Sequence, residues 1–269
     1  MLIVVSQIED GGMYVLSSVR NIAVILRTFR LEAPELSLAD LSRAVNLPKS
    51  TVYKLVCTLL ASGFLEKDNQ TGKYRPSIRM FEMSQFILNR IDLVREATPF
   101  IKLLAKQSGE TAHITYYENG EVIWLLKVEN PFFVQLYSRV GRRAPAAATA
   151  SGKAILAHLD EQELQQVLAQ GWKTLTPKTA ANDDKLLQEL ERIRTLGYAM
   201  QIEEVDIGVA SVGAPIFDHQ RCPVAAISIA GPVGRFSPDA IKNYGRLAKE
   251  TAFAVSERIG YLPARRRNG

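Results

Sequence analysis

The chain has 269 residues with a net charge of +5 at neutral pH, and 47% of its residues are hydrophobic. A disordered chain lacks that much apolar surface, so we expect a globular protein of one large or two modest domains. Its two cysteines, Cys57 and Cys222, are too few for a disulfide framework or a multi-cysteine zinc site. No apolar run approaches the ~20 residues of a membrane-spanning helix, so we expect a cytoplasmic protein without membrane contact.

The basic residues are concentrated in two segments. Residues 38–79 contain seven basic and three acidic side chains, a balance of +4, and Arg265, Arg266 and Arg267 add +3 near the end of the sequence. The remaining residues therefore sum to −2. This asymmetry makes the early segment the first candidate for nucleic-acid contact, and it indicates a basic, flexible tail over residues 263–269.

The early segment has the pattern of three helices. Apolar residues recur at helical spacing over residues 17–31. Ser37 and Asp40 then form the pattern of a capping box before a short second helix, because the hydroxyl and the carboxylate can each bind an orphan backbone amide. A third helix is predicted from Pro48 to about residue 62, and Gly63 ends it.

Two short helices, a tight turn and a third helix with polar residues at its start predict a helix-turn-helix whose third helix enters the major groove. Residues 64–68 and 73–76 then read as two strands joined by a turn, which predicts a hairpin wing. The alternative is that this unit serves only for protein interaction. The residues expected to contact DNA are the polar ones of the third helix and the basic ones of the wing: Lys49, Ser50, Thr51, Tyr53, Lys54, Thr58, Lys67, Lys73 and Arg75.

The segment that follows predicts an apolar linker helix and then a domain of mixed secondary structure. The linker, residues 77–91, must bury its apolar stripe against a second copy of the chain or against its own domains. Helical and extended patterns then alternate in a way that favours an α+β domain, an antiparallel sheet flanked by helices. The predicted helices cover residues 94–108, 150–159, 161–169, 183–196 and 237–259, and the predicted strands cover 111–117, 121–128, 133–138, 198–202, 209–216 and 223–229.

Catalytic motifs are poorly represented in this domain. Residues 151–153, Ser-Gly-Lys, resemble the end of a phosphate-binding loop, but Ala154 replaces the required Ser or Thr and Ala147 replaces the first glycine. The three histidines, His113, His158 and His219, have no second ligand at metal spacing. We therefore expect no catalytic residues, no metal and no cofactor.

Three segments rich in small residues predict a small-molecule pocket. They are residues 144–153, 208–215 and 228–232, each containing Gly or Pro. Small side chains leave room for a ligand, while backbone amides and the hydroxyls of Ser211 or Ser228 could orient a carboxylate. Tight packing at the sheet edges would produce the same composition, and the residues alone do not separate the two readings.

Several motifs, in order, resemble the IclR family of bacterial transcriptional regulators over nearly the whole chain. Residues 47–52 (LPKSTV) are similar to the start of the family's recognition helix. Residues 141–145 (GRRAP) and 149–154 (TASGKA) resemble the opening of its effector domain. Residues 203–204 (EE), 208–216 (GVASVGAPI) and 224–232 (VAAISIAGP) resemble its later signature.

The resemblance implies a winged helix-turn-helix over residues 14–76, a linker helix over 77–92 and a GAF-like effector domain over 93–262. It implies a ligand-responsive regulator, a repressor or alternatively an activator, that binds a palindromic operator in double-stranded DNA as a homodimer or homotetramer. A sensor or enzyme with a winged helix for protein interaction is the alternative from another class. The implied effector is a small carboxylate or aromatic acid, held at Ala150, Ser151, Gln201, Glu204, Ser211, Ser228 and Ala230.

This sequence departs from the family pattern at two of these positions and at one further position of the signature. Members that bind small acids often have an acidic residue near Gln201 and a hydroxyl near Ala230, and neither is present here. The effector is therefore expected to be less polar or to be held differently. Gly213 replaces a common Ala, a change that need not disturb the pocket.

Overall fold

The structure, a computed structural model, describes residues 16–30, 33–83, 92–129, 138–179 and 182–262. The chain divides into two compact units, residues 1–90 and 91–269. Within the described residues, no helix is both long and apolar enough to cross a membrane. The predicted Arg tail lies outside the described residues. The domain limits set out above stay predictions.

The first unit is a winged helix-turn-helix. Helices α1 (Ser17–Thr28), α2 (Leu38–Val45) and α3 (Lys49–Ala61) precede a hairpin of β1 (Leu65–Lys67) and β2 (Tyr74–Pro76). Helix α1 ends three residues earlier than its apolar pattern predicts, since Phe29 is already extended. The capping box is present as expected, because Ser37 Oγ accepts from the Asp40 amide while the Asp40 carboxylate accepts from the Ser37 amide.

One apolar cluster holds the first unit together. Fully buried side chains of α1, α2 and α3 meet the buried faces of the two wing strands there. On α3 the buried residues recur at intervals of four and three, so they occupy one face of the helix and leave the opposite face to solvent. The members with complete or nearly complete burial are Ile25, Leu41, Val52, Val56, Leu59, Leu65 and Tyr74.

Of the predicted linker, residues 78–83 are helical and residues 84–91 lie outside the described part of the chain. The second unit begins with helix α4 (Asp92–Ser108), two residues earlier than predicted. Strands β3 (Thr111–Glu118) and β4 (Glu121–Val128) follow as a hairpin. The strand predicted at residues 133–138 falls almost entirely on residues that are not described, and Ser138 itself is not in a strand.

The remaining elements of the second unit agree with the sequence pattern, with three corrections. The last strand, Pro223–Pro232, extends three residues beyond its predicted end at residue 229. The three-residue strand β5 (Arg143–Pro145) was not predicted, because so short a run has no alternation to detect. Helix α5 (Ala150–Leu156) stops three residues before the predicted end at residue 159. The others are α6 (Glu161–Gln170), α7 (Asp183–Leu196), β6 (Ala199–Ile202), β7 (Val209–Phe217), β8 (Pro223–Pro232) and α8 (Pro238–Arg258).

The second unit is an antiparallel six-stranded sheet with helices on both faces. Its strand order is β5-β4-β3-β8-β7-β6, so β3 pairs with β8 in the centre although residues 119–222 separate them in sequence. Helices α4 and α8 share one apolar cluster with β3, β7 and β8. Helices α5, α6 and α7 share another with β4. Alternate residues of the central strands therefore face either the α4/α8 core or the layer that contains α5.

Candidate DNA interface and effector cavity

All nine residues predicted to contact DNA are exposed. Six of them lie on α3: Ser50, Lys54 and Thr58 are on the side opposite the buried Val52, Val56 and Leu59, Thr51 and Tyr53 flank the buried face, and Lys49 is in the first turn. Tyr53 keeps 53% of its surface exposed, a large fraction for an aromatic side chain. Exposed hydroxyl, phenol and ammonium groups along one helix face are what contact with base edges and phosphates requires.

The basic residues of the wing differ in their surroundings. The Arg75 guanidinium is paired with Glu66 at 2.5 Å and with Glu35 at 3.1 Å, which raises its pKa. Lys67 Nζ lies 5.7 Å from the centre of the Tyr74 ring. Lys73 has no ion pair within the part of the chain that the structure describes. Lys73 therefore offers its charge freely to a phosphate, whereas Arg75 is already neutralised.

The second unit contains a cavity on the α5 side of its sheet. Strand register brings the wall residues into two adjacent rows: Gln201, Ser211 and Ala230 are cross-strand partners in one, and His113 and Ser228 in the other. The volume of the cavity is about 40 Å³, which exceeds what a single water needs. The wall consists of His113, Trp124, Ser138, Thr149, Ala150, Ser151, Gln201, Val205, Asp206, Val209, Ser211, Ser228 and Ala230.

Helix α5 closes over these rows because two glycines permit a close approach. A Cβ at Gly152 would lie 2.2 Å from the Ala146 carbonyl oxygen, and a Cβ at Gly213 would lie 2.8 Å from the Ser151 amide nitrogen. Thr149 caps the helix by accepting a hydrogen bond from the Gly152 amide at 2.9 Å. The Ser-Gly-Lys sequence therefore serves close packing, which seats Ala150 and Ser151 in the cavity wall.

Some polar groups of the wall are paired and others are free to meet a ligand. Gln201 donates from Nε2 to Ser211 Oγ at 3.1 Å and accepts at Oε1 from the Glu204 amide at 2.9 Å, so its amide orientation is fixed. The hydroxyls of Ser151 and Ser228 have no hydrogen-bond partner among the residues described. Both residues are at least nine-tenths buried, so a ligand group that pairs with these hydroxyls would do so away from bulk water.

A Ser–His pair in the wall has the geometry of a catalytic pair, so the pKa of its imidazole decides whether it could transfer a proton. His113 Nε2 lies 2.8 Å from Ser138 Oγ, which is the separation of a nucleophile and its base. Burial lowers the pKa of His113 to about 3, and Lys127 adds to the effect, so the imidazole is far too weak a base near neutral pH. Its Nδ1 has no orienting partner within the described chain. The pair is suited to binding rather than to proton transfer.

Six of the seven predicted effector residues line the cavity, and Glu204 does not. The Glu204 carboxylate turns toward Lys153, whose Nζ donates to Glu204 Oε1 at 2.7 Å and to Glu189 Oε2 at 2.6 Å. Lys153 is fully buried, and burial raises the pKa of Glu204 even with that ammonium beside it. Glu204 thus supports the wall through its backbone bond to Gln201.

The sequence patterns missed several residues of the wall. His113 and Trp124 lie in strands outside the three segments rich in small residues, and Asp206 and Val205 lie in a loop that follows the predicted Gln201 and Glu204. Alternation along β3 could have placed His113 opposite the apolar Ala112 and Ile114. No local pattern could have placed it beside Ser228, because that contact depends on which strands pair. Ser138 was also missed, whereas Thr149 and Val209 lie in the predicted segments 144–153 and 208–215 but were not named individually.

Two family models match the chain. The model of the IclR helix-turn-helix domain matches residues 18–69. The model described as "Bacterial transcriptional regulator IclR C-terminal" matches residues 85–257. The second match alone spans more than half of the chain. Both matches fall on the units that carry the exposed α3 face and the cavity, respectively.

Individual relatives agree with these matches. The HTH-type transcriptional regulator XynR of Escherichia coli K12 is 32% identical over 93% of this chain and 99% of its own length. The HTH-type transcriptional repressor AllR of the same strain is 32% identical over 90% of this chain and 89% of its own length. A crystal structure of an IclR homolog from Microbacterium hydrocarbonoxydans, complexed with 4-hydroxybenzoate, has a TM-score of 0.79 at 22% identity, covering 90% of this chain and 99% of that one.

The chain matches these transcriptional regulators over almost their entire lengths. Its two units are the DNA-binding and effector-binding parts that such regulators combine. The chain belongs to the IclR family of bacterial transcriptional regulators.

Proposed function

We propose that this regulator is a repressor that binds a palindromic operator as a homodimer or homotetramer and responds to a small organic acid in the cavity. The observation that carries the proposal is the presence, in one chain, of an exposed polar face on α3 and a cavity lined by hydroxyl groups. Such a protein would act where chromosomal DNA is, in the cytoplasm.

The first unit would bind DNA through two kinds of contact. Lys49, Lys54 and Lys73 are exposed and would neutralise phosphates, which supplies affinity without sequence preference. Ser50, Thr51 and Tyr53 would reach base edges from the first turns of α3, which supplies specificity. The other members of the predicted set, Thr58, Lys67 and Arg75, would contribute less, since Arg75 is paired and Thr58 Oγ1 already donates to the Lys54 carbonyl at 3.0 Å.

Exposed apolar side chains support self-association. Ile78 keeps 69% of its surface exposed, Phe81 59% and Met83 50%, all within six residues of the linker. A cluster of exposed apolar side chains of this kind is typical of a surface that binds another protein. A second copy of the linker would cover it, and the two recognition helices would then face two half-sites related by a two-fold axis.

The effector would act by favouring one arrangement of the paired chains. Ligand binding shifts such an equilibrium only through a difference in affinity between the two arrangements. The hydroxyls of Ser151 and Ser228 would hold the acid, because they are free to donate hydrogen bonds. We propose no catalytic step, in keeping with the low pKa of His113 and with the relatives being transcriptional regulators.

A fluorescence anisotropy titration tests the DNA-binding part. Labelled DNA from upstream of the protein's own gene is titrated at several salt concentrations, against random DNA of equal length. We expect tighter binding to the upstream DNA, with log K falling linearly as log salt rises. Equal affinity for both DNAs, without salt dependence, would contradict operator binding.

A further inference from the structure

The charge of the cavity wall is unusual for a site that receives an acid. Among the wall residues that the structure describes, Asp206 is the one with a formally charged side chain, because burial keeps His113 neutral. The other polar wall groups are hydroxyls and the Gln201 amide. The wall therefore supplies no cation to a carboxylate ligand.

Two lysines that adjoin wall residues, Lys127 and Lys153, are already paired. Lys127 Nζ lies 2.7 Å from Glu129 Oε1 and donates to the Ser138 carbonyl at 3.1 Å. Lys153 Nζ is held between Glu189 and Glu204. Neither ammonium is available to neutralise Asp206 or a ligand.

Asp206 belongs to a loop that is anchored on both sides. Thr176 Oγ1 donates to the Glu203 carbonyl at 2.6 Å, and Thr179 Oγ1 donates to the Glu204 carbonyl at 2.7 Å. The Gly208 amide donates to Glu203 Oε1 at 2.9 Å. The position of residue 206 is thus set before any ligand arrives, which is the arrangement expected of a specificity residue.

The side chain of Asp206 has no hydrogen bond or ion pair within the described residues. An ionised carboxylate accepts hydrogen bonds and donates none, so the ligand group beside it must be a donor. A hydroxyl needs one acceptor and is cheaper to desolvate than an ammonium, which needs three acceptors. A ligand carboxylate, in contrast, would be repelled by Asp206 and would pair with Ser151 and Ser228 instead.

We propose that Asp206 accepts a hydrogen bond from a hydroxyl of the effector, so that the cavity selects a small hydroxy acid over the corresponding plain acid. The proposal rests on the effector-binding function proposed above and narrows its ligand class. A hydrogen bond to a charged group discriminates by about tenfold to a hundredfold, so the hydroxyl should improve affinity by that factor.

Matched ligands test the proposal on the full-length protein by isothermal titration calorimetry. The probes are propanoate and butanoate, their 2-hydroxy and 3-hydroxy derivatives, and their 2-amino and 3-amino derivatives. We expect at least one hydroxy acid to bind about tenfold to a hundredfold more tightly than its parent acid. In Asp206→Ala, which removes the acceptor altogether, this preference should fall to near unity, while the parent acid should bind no more weakly than before.

The control variant is Asp184→Ala, which removes the same charge from an exposed residue of α7 outside the cavity wall. It should retain the hydroxyl preference. The proposal is overturned if no hydroxy acid exceeds its parent, if an amino derivative binds more tightly than its hydroxy counterpart, or if Asp206→Ala keeps the preference.

The same preparations separate this proposal from the broader one. Anisotropy with upstream DNA measures the regulator function independently of Asp206. Specific DNA binding together with absent hydroxyl preference rejects the role of Asp206 alone, whereas absent DNA binding rejects the proposed function.

Discussion

Lys153 shows how one buried charge can organise a binding site without entering it. Its ammonium joins α5, which carries Ala150 and Ser151 of the cavity wall, to Glu204 of the loop and Glu189 of α7. Replacing such a network by apolar groups can be nearly neutral, but removing one partner leaves the others buried and uncompensated. The network therefore makes the wall depend on a residue that touches no ligand.

We expect Lys153→Met to lower the free energy of unfolding by about 3–5 kcal/mol, because Glu204 would keep a buried carboxylate without its cation. The double variant Lys153→Met/Glu204→Met should regain part of that loss. Urea denaturation measures both variants, with exposed Lys102→Met as the control. A single variant as stable as the control would show that the ion pair contributes nothing to folding.

His113 makes stability depend on pH. Burial lowers its pKa to about 3 in the folded protein, against an ordinary value of 6.5. Between these values the unfolded chain binds more protons, so stability is retained above pH 6.5 and falls as the pH drops toward 3. The loss attributable to this residue between pH 7 and pH 4 is about 3 kcal/mol.

Between pH 7 and pH 4, we expect the free energy of unfolding of His113→Gln to fall by about 3 kcal/mol less than that of the unchanged protein. The exposed control His219→Gln should behave like the unchanged protein. Denaturant unfolding at several pH values provides the comparison. If the pH profile of His113→Gln coincides with that of the unchanged protein, the imidazole is not the group responsible.

At the scale of elements, two residues of the wing with the same charge differ in whether that charge is paired with a carboxylate. Lys73 and Arg75 both carry one positive charge in the same hairpin, yet Arg75 is paired with Glu66 and Glu35. Releasing counterions requires a cation that is free to replace them at the phosphates. Of these two residues, Lys73 should therefore contribute more to the dependence of the DNA-binding constant on salt concentration.

We expect Lys73→Gln to reduce the slope of log K against log salt by about 0.9, and Arg75→Gln to reduce it by clearly less. Anisotropy with upstream DNA gives both slopes, and Lys102→Gln in the other unit serves as the control. Equal reductions in the two wing variants would mean that Arg75 leaves its carboxylate partners when DNA binds.

How much of each element could be predicted depended on whether local chemistry defines it. The first unit was predicted almost entirely, because the capping box at Ser37, the stop at Gly63 and the wing turn are each encoded within a few residues. In the second unit the helices and most strands were predicted, but the sheet order was not. The pairing of β3 with β8 is non-local, and it alone brings His113 beside Ser228. Glu204 was misplaced because neighbouring Gln201 enters the wall while Glu204 turns to Lys153.

At the scale of the whole molecule, the proposed dimer turns two weak contacts into one strong contact. A single recognition helix covers few base pairs, and linking two of them makes the second contact intramolecular. This gain depends on geometry, because both helices must meet their half-sites on the same face of the duplex, about 34–36 Å apart or a multiple of it. An operator in which the half-sites are rotated relative to each other should lose the gain.

We therefore expect insertion of five base pairs between the half-sites, which turns them to opposite faces, to weaken binding by about a hundredfold or more. The half-sites are first located by DNase protection on the upstream DNA, and anisotropy then compares the altered operator with one carrying five substituted base pairs outside the half-sites. Unchanged affinity after the insertion would mean that each chain binds DNA alone. In that case the exposed Ile78, Phe81 and Met83 would need another partner, since the paired recognition helices would no longer account for them.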